Sequence, residues 1–91
     1  MSGRVLNIAG YRFVDLNDRD ELRDPFMDMC TVLELKGTIL LSPNGINFVL
    51  AGSEESVSEF IRYLESDKRF SGIPIKFSRT DYQPFRRMLV K

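Results

Sequence analysis

Hydrophobic and polar positions change period several times along the chain, and each change marks an element. Residues 5–16 are rich in Val, Ile, Tyr and Phe, and Tyr11, Phe13 and Asp15 alternate with Arg12, Val14 and Leu16. This predicts a first strand, with a bulge at Ala9-Gly10. Asn17 or Asp18 is placed to cap a helix, with Asp20 and Glu21 near the positive end of its dipole. Leu22, Phe26, Met29, Cys30 and Leu33 then recur at helical spacing as one apolar stripe. Pro25 removes one N–H there and crowds the carbonyl of Glu21, so the helix is expected to kink or to begin at Asp24.

Residues 35–42 and 46–51 are two β-rich runs around Pro43-Asn44-Gly45, in which Pro fixes φ and Asn and Gly tolerate left-handed backbone. Gly52-Ser53 ends the second run and caps another helix, with Val57, Phe60, Ile61 and Leu64 at i, i+3, i+4 and i+7 and a break at Ser71-Gly72. Ile73, Ile75 and Phe77 alternate with Pro74, Lys76 and Ser78 as a further strand, and residues 85–91 add an extended segment. The order β-α-β-β-α-β predicts an α+β, ferredoxin-like fold. Right-handed crossovers place both helices on one face of a four-stranded antiparallel sheet.

With 91 residues the chain has room for one domain, and such a domain buries enough surface for a core without disulfides or metal. The absence of His excludes imidazole catalysis and His-ligated metals, and the single Cys30 excludes an internal disulfide. One thiol suits a reducing compartment, and no apolar run approaches the ~18 residues needed to span a bilayer. The first seven residues lack the apolar core and cleavage site of a signal peptide. A cytoplasmic protein is expected. The chain ends on Arg86-Arg87-Met88-Leu89-Val90-Lys91 with no polar tail, which reads as a fragment of something larger.

Net charge is zero, yet charge is uneven along the chain. Residues 15–34 hold seven acids and two bases, whereas residues 68–91 hold seven bases and one acid. Two solvated surfaces are the plain explanation, and an anion-binding face is the other. Lys76, Arg79, Arg86, Arg87 and Lys91 alternate with Phe77, Tyr82 and Phe85, a mixture that RNA recognition uses for phosphate pairing and stacking. Both Phe77 and Phe85 are equally candidates for the core.

Other chemistries find less support. Cys30 lies on the apolar stripe with no His to act as its base, so it reads as a small core residue. The acids Asp18, Asp20, Glu21, Asp24 and Asp28 lack the spacing and the glycine of a calcium loop. Acylphosphatases share the predicted topology and cradle phosphate in a glycine-rich turn after the first strand. Here that turn, Asp15-Leu16-Asn17-Asp18-Arg19-Asp20, is acidic and has no glycine, so a phosphate meets repulsion. Turnover of an acyl phosphate that depends on Arg23 or Asn47 would overturn this reading of the acidic turn.

Three stretches resemble a known family. Leu35-Lys36-Gly37-Thr38-Ile39-Leu40-Leu41-Ser42-Pro43-Asn44-Gly45-Ile46-Asn47 is similar to the LKGTILLAxEGIN block of the bacterial rhodanese-fused tRNA uridine 5-hydroxylase (TrhO) family. Asp67-Lys68-Arg69-Phe70 resembles its D-x-R-F element, and Pro84-Phe85-Arg86-Arg87-Met88-Leu89-Val90-Lys91 its PFxRMxVK segment. Asn44 stands where that family usually has an acid, and Phe48-Val49 where small residues are common. The resemblance implies the amino-terminal, acylphosphatase-like part of an oxygen-dependent wobble-uridine hydroxylase whose catalytic cysteine lies in a later rhodanese domain. It implies no catalytic residue and no cofactor in these 91 residues. The motif residues are Lys36, Gly37, Gly45, Asn47, Pro84, Phe85 and Arg87. The candidate tRNA contacts are Lys36, Lys76, Arg79, Arg86, Arg87 and Lys91. The alternative is a structural domain that only docks on the rhodanese domain, with Arg86 and Arg87 paired to its acids. Gly37 either admits close backbone approach or relieves packing, and Asn47 is expected to hydrogen-bond the hairpin.

Overall fold

The computed structural model describes residues 4–91, so the reading of Met1, Ser2 and Gly3 lies outside the described residues. The element order is β1 (Val5–Phe13), α1 (Arg19–Val32), β2 (Lys36–Ser42), β3 (Gly45–Gly52), α2 (Glu54–Glu65), β4 (Ile75–Thr80) and β5 (Met88–Val90). The strands form one sheet in the order β4-β1-β3-β2-β5. The first four pair antiparallel, the ferredoxin-like arrangement that the hydrophobic pattern predicts. The extended last segment adds β5 parallel to β2, so the sheet is five-stranded and mixed rather than four-stranded and antiparallel.

Several boundaries differ from expectation for identifiable reasons. Ala9 and Gly10 hold an unbroken register against both β3 and β4, so there is no bulge. Gly10 is needed because the ring of Phe48 occupies the space its side chain would fill; a Cβ there would lie 2.7 Å from Phe48 Cζ. Helix α1 begins at Arg19 and runs through Pro25. Pro25 and Glu21 both lie on the exposed side, so the carbonyl that loses its donor meets water instead. Helix α2 stops at Glu65, ahead of Ser71-Gly72, where the Ser66 hydroxyl turns back to donate to the carbonyl of Tyr63 at 2.6 Å. Pro74 has no N–H for the ladder, and β4 starts after it.

Alternation along the strands sends Leu6, Ile8, Ile39, Leu41, Ile46, Phe48 and Leu50 toward the helices, where all are buried. Phe26 and Cys30 of α1 and Val57, Phe60 and Leu64 of α2 meet them. Phe26 is the hub of a ring cluster, with centroids 5.6 Å from Tyr63, 5.9 Å from Phe70 and 6.2 Å from Phe60. Each such pair adds about 0.5–1.5 kcal/mol beyond the area it buries. Ser53 caps α2 by accepting from the Ser56 N–H at 3.1 Å, as its position predicts.

The turn of the β2–β3 hairpin is Pro43-Asn44, tied by Ser42: the Asn44 N–H donates to Ser42 Oγ at 3.3 Å and that hydroxyl donates to the Gly45 carbonyl at 3.4 Å. The hairpin role expected of Asn47 therefore belongs to Ser42.

Candidate nucleic-acid interface

Both helices cover one face of the sheet, and the other face is open. Its rows follow from register. Lys76, Ala9, Val49, Thr38 and Leu89 form one row, from β4 to β5. Tyr11, Asn47 and Leu40 form the next, and Lys91 extends it, because the Lys91 N–H donates to Ile39 O and the Leu41 N–H to Lys91 O, both at 2.8 Å. On the far side of the first row stand Asn7, Ala51 and Lys36, and beside Lys36 lies Arg87, whose carbonyl accepts the Gly37 N–H at 2.9 Å.

Four of the six bases singled out in the sequence thus border one face. Lys76 marks the β4 side; on the other side Lys36 of β2 lies about 14 Å away, and Arg87 and Lys91 beside β5 about 19 Å away, at the usual strand spacing. The other two are placed elsewhere. Arg79 pairs with Leu6 in the ladder, points to the helix side, and forms an ion pair with Glu54 of α2. Arg86 lies in the segment between β4 and β5, and its carbonyl accepts from Lys36 Nζ at 3.4 Å. Phe77 also turns to the helix side, opposite Ile8, yet stays exposed at the sheet's edge rather than joining the core.

Segment 81–87, which carries Pro84 and Phe85, runs along one end of the sheet from β4 to β5. Gln83 Nε2 donates to the Ala51 carbonyl at 3.0 Å, and its Oε1 accepts the Phe85 N–H at 3.2 Å. Ala51 is fully buried there although it belongs to the open face. The PFxRM-like motif is a strap that carries the chain across to its last strand.

Sequence reasoning missed the middle of the open face. Tyr11 is 62% exposed and Phe13 82%, with Leu40 and Val49 beside them. The available signal was that β1 is apolar at both parities: Leu6 and Ile8 feed the core, so Tyr11 and Phe13 have to face away from it. No carboxylate stands on the open face of any strand. The helices carry eight acids against three bases. Charge is thus divided between the two faces of the molecule, as well as along its chain.

Two of the remaining motif residues, Gly37 and Gly45, sit where strands approach closely. Gly37 has φ +134, and a Cβ there would lie 2.0 Å from the Val49 carbonyl oxygen; Gly45 has φ +154, and its Cβ would lie 2.1 Å from the Arg12 carbonyl oxygen. Each glycine lets a neighbouring strand close up. In the D-x-R-F element, Arg69 forks onto Asp67 through Nε at 3.1 Å and Nη2 at 2.8 Å and reaches Asp18 through Nη1 at 2.6 Å. Its guanidinium also stands 5.2 Å over the ring of Phe70. These bonds hold both carboxyls below their ordinary range and raise the guanidinium further. They bind the start of α1 to the turn after α2. Asp18 is the residue before the helix, as expected, but its carboxylate serves Arg69 instead of capping N–H groups.

The loop after β1 is tied to the hairpin tip. Its Val14 N–H donates to Asn44 O at 3.0 Å and its Leu16 N–H to Pro43 O at 3.1 Å, so the hairpin tip takes those donors. Arg23 is held by Asp20 at 2.7 Å. Burial pushes the Cys30 thiol up to about 12, far from a reactive thiolate. Among the described residues, no three His, Cys, Asp or Glu side chains are grouped to hold a metal, and no helix is long and apolar enough to cross a membrane.

Known proteins share this architecture. The BLUF protein BlrB in its dark state superposes with a TM-score of 0.74 at 16% identity, covering 99% of this chain and 75% of that one. An acylphosphatase from Coxiella burnetii gives 0.63 at 12% identity, covering 99% and 94%. These likenesses show the fold. Sequence relatives are closer: a tRNA uridine(34) hydroxylase of Cupriavidus pinatubonensis is 51% identical over 88 residues, covering 97% of this chain and 31% of its own length. One of Bordetella parapertussis is 42% identical over 87 residues, covering 96% and 36%. The chain therefore spans about a third of the relatives it matches. The family described as UPF0176 acylphosphatase-like domain matches residues 5–91, and the chain belongs to it.

Proposed function

We propose that this domain is the non-catalytic amino-terminal part of a longer, cytoplasmic tRNA uridine hydroxylase and that it positions tRNA for a catalytic domain, of rhodanese type, that follows it. One observation carries the reading: among the described residues four bases border the open sheet face and its strands carry no carboxylate, while eight of the thirteen acids lie on the helices. Among the described residues none of Lys36, Lys76, Arg87 and Lys91 forms an ion pair with a carboxylate. Lys36 and Arg87 are also neighbours of like charge, and a polyanion relieves their repulsion. Chemistry on the uridine belongs to the downstream domain in this reading, and the buried Cys30 thiol takes no part in it.

The test is tRNA binding by the 91-residue chain, followed by fluorescence anisotropy across a salt series. Affinity falls steeply with salt, and replacing Lys36, Lys76, Arg87 and Lys91 together by Ala lowers the slope of log K against log salt by about 3. An unchanged slope overturns the assignment of these four residues.

A further inference from the structure

We propose that Tyr11 and Phe13, flanked by Asn47 and Lys76, form a stacking shelf for unpaired RNA bases. This rests on the tRNA-positioning reading and narrows it to unpaired nucleotides rather than helical stems.

The two rings stand edge to face, centroids 5.6 Å apart at 64°, so they do not cover one another and each keeps a π-face free. Beside them lies a recess of about 650 Å³, within the size range of small-ligand sites, floored by the small residues Ala9 and Gly10 and bordered by Asn47 and Lys76. A smaller recess on the other side of the rings is lined by Leu40 and, again, Asn47. Asn47 therefore stands where its amide reaches the edge of a base in either recess. That amide offers both donors and an acceptor, which suits the mixed edge of a nucleobase. No carboxylate lines either recess.

The occupant follows from chemistry. A duplex hides its base faces and offers phosphates and groove edges, whereas unpaired bases offer the faces that exposed rings stack on. A protein surface satisfies the rings but has to bring carboxylates of its own for the Lys and Arg side chains along both borders, whereas every nucleotide of RNA brings a phosphate.

The probes are a fluorescein-labelled single-stranded oligouridine and a duplex RNA of equal length, each titrated with the 91-residue chain. Single-stranded RNA binds better, and Tyr11→Leu and Phe13→Leu each weaken that binding about tenfold without changing its salt slope. Tyr11→Phe retains the affinity, and far-UV circular dichroism confirms that the variants are folded. If both leucine variants bind the single strand as the parent does, the shelf is overturned while the salt-dependent tRNA reading stands. A parent chain that binds neither RNA nor tRNA overturns both and assigns the rings to a protein surface.

Discussion

Replacing Gly37 by Ala tests whether this motif glycine serves the sheet or a ligand. A Cβ at that position would lie 2.0 Å from the Val49 carbonyl oxygen and 2.9 Å from Leu50 Cα. Ordinary carbon–oxygen contacts begin at about 3.3 Å, so β2 and β3 have to part locally by about 1.3 Å. That carries ladder hydrogen bonds beyond their working range. Two such bonds are worth about 2 kcal/mol, and an alanine held near φ +134 adds strain of about 1–3 kcal/mol. The total is about 4 kcal/mol, a large share of the stability of any small domain. It corresponds to a fall in Tm of roughly 16–32 °C at this chain length. The assay is thermal and urea unfolding followed by far-UV circular dichroism. Gly72→Ala is the control: its φ is +78, but the nearest heavy atom to a Cβ there is Arg12 Nη2 at 4.0 Å. Only left-handed strain of about 1–2 kcal/mol applies to it. A Gly37→Ala chain that loses less stability than Gly72→Ala refutes the reasoning and returns Gly37 to the pool of ligand-contacting positions.

Asp18 and Asp67 titrate below their ordinary 3.8 because Arg69 hydrogen-bonds their charged forms. Their folded values lie below the unfolded ones, so this contribution is complete above about pH 4 and is lost as the pH falls through the folded values. Urea midpoints measured from about pH 5 down to pH 2 fall accordingly, and Arg69→Gln removes that part of the decline; identical profiles would exclude the network. Cys30, with its thiol pushed up to about 12, reacts with an aromatic disulfide reagent only as fast as the chain opens. Labelling of the native chain at the rate of free cysteine contradicts its burial. Arg79→Ala lowers RNA affinity less than Lys76→Ala, because Arg79 faces the helices; equal losses in a binding titration would mean that the two faces are not functionally distinct.

Element order was legible where a local signal had a single reading. Pro43-Asn44 between two apolar runs makes a hairpin, and Ser53 before Glu54 and Glu55 starts a helix. Pro25 was harder to read, because whether a proline stops a helix depends on whether water reaches the orphaned carbonyl, which is a tertiary property. The parallel pairing of β5 was likewise invisible, since Gly37 and Met88 are brought together by the strap and by no local pattern. For the candidate site, the residue types were readable and their grouping was not. Lys76 and Arg79 are close in sequence but face opposite sides of one strand, whereas Lys36 and Arg87 are distant in sequence and adjacent in space. Burial of β1 on one face alone exposes Tyr11 and Phe13, a consequence of the parity they do not share with Leu6 and Ile8.

Segregation of charge onto opposite faces has a colloidal consequence. A chain of zero net charge has no overall repulsion to keep copies apart. Here the acidic helical layer of one copy complements the basic sheet layer of the next, a head-to-tail contact that does not close on itself. Added salt screens that attraction over about 10 Å at 0.1 M. Solubility at neutral pH should therefore rise with the first additions of salt, and a polyanion bound to the sheet should disperse the protein at ionic strengths where it otherwise associates.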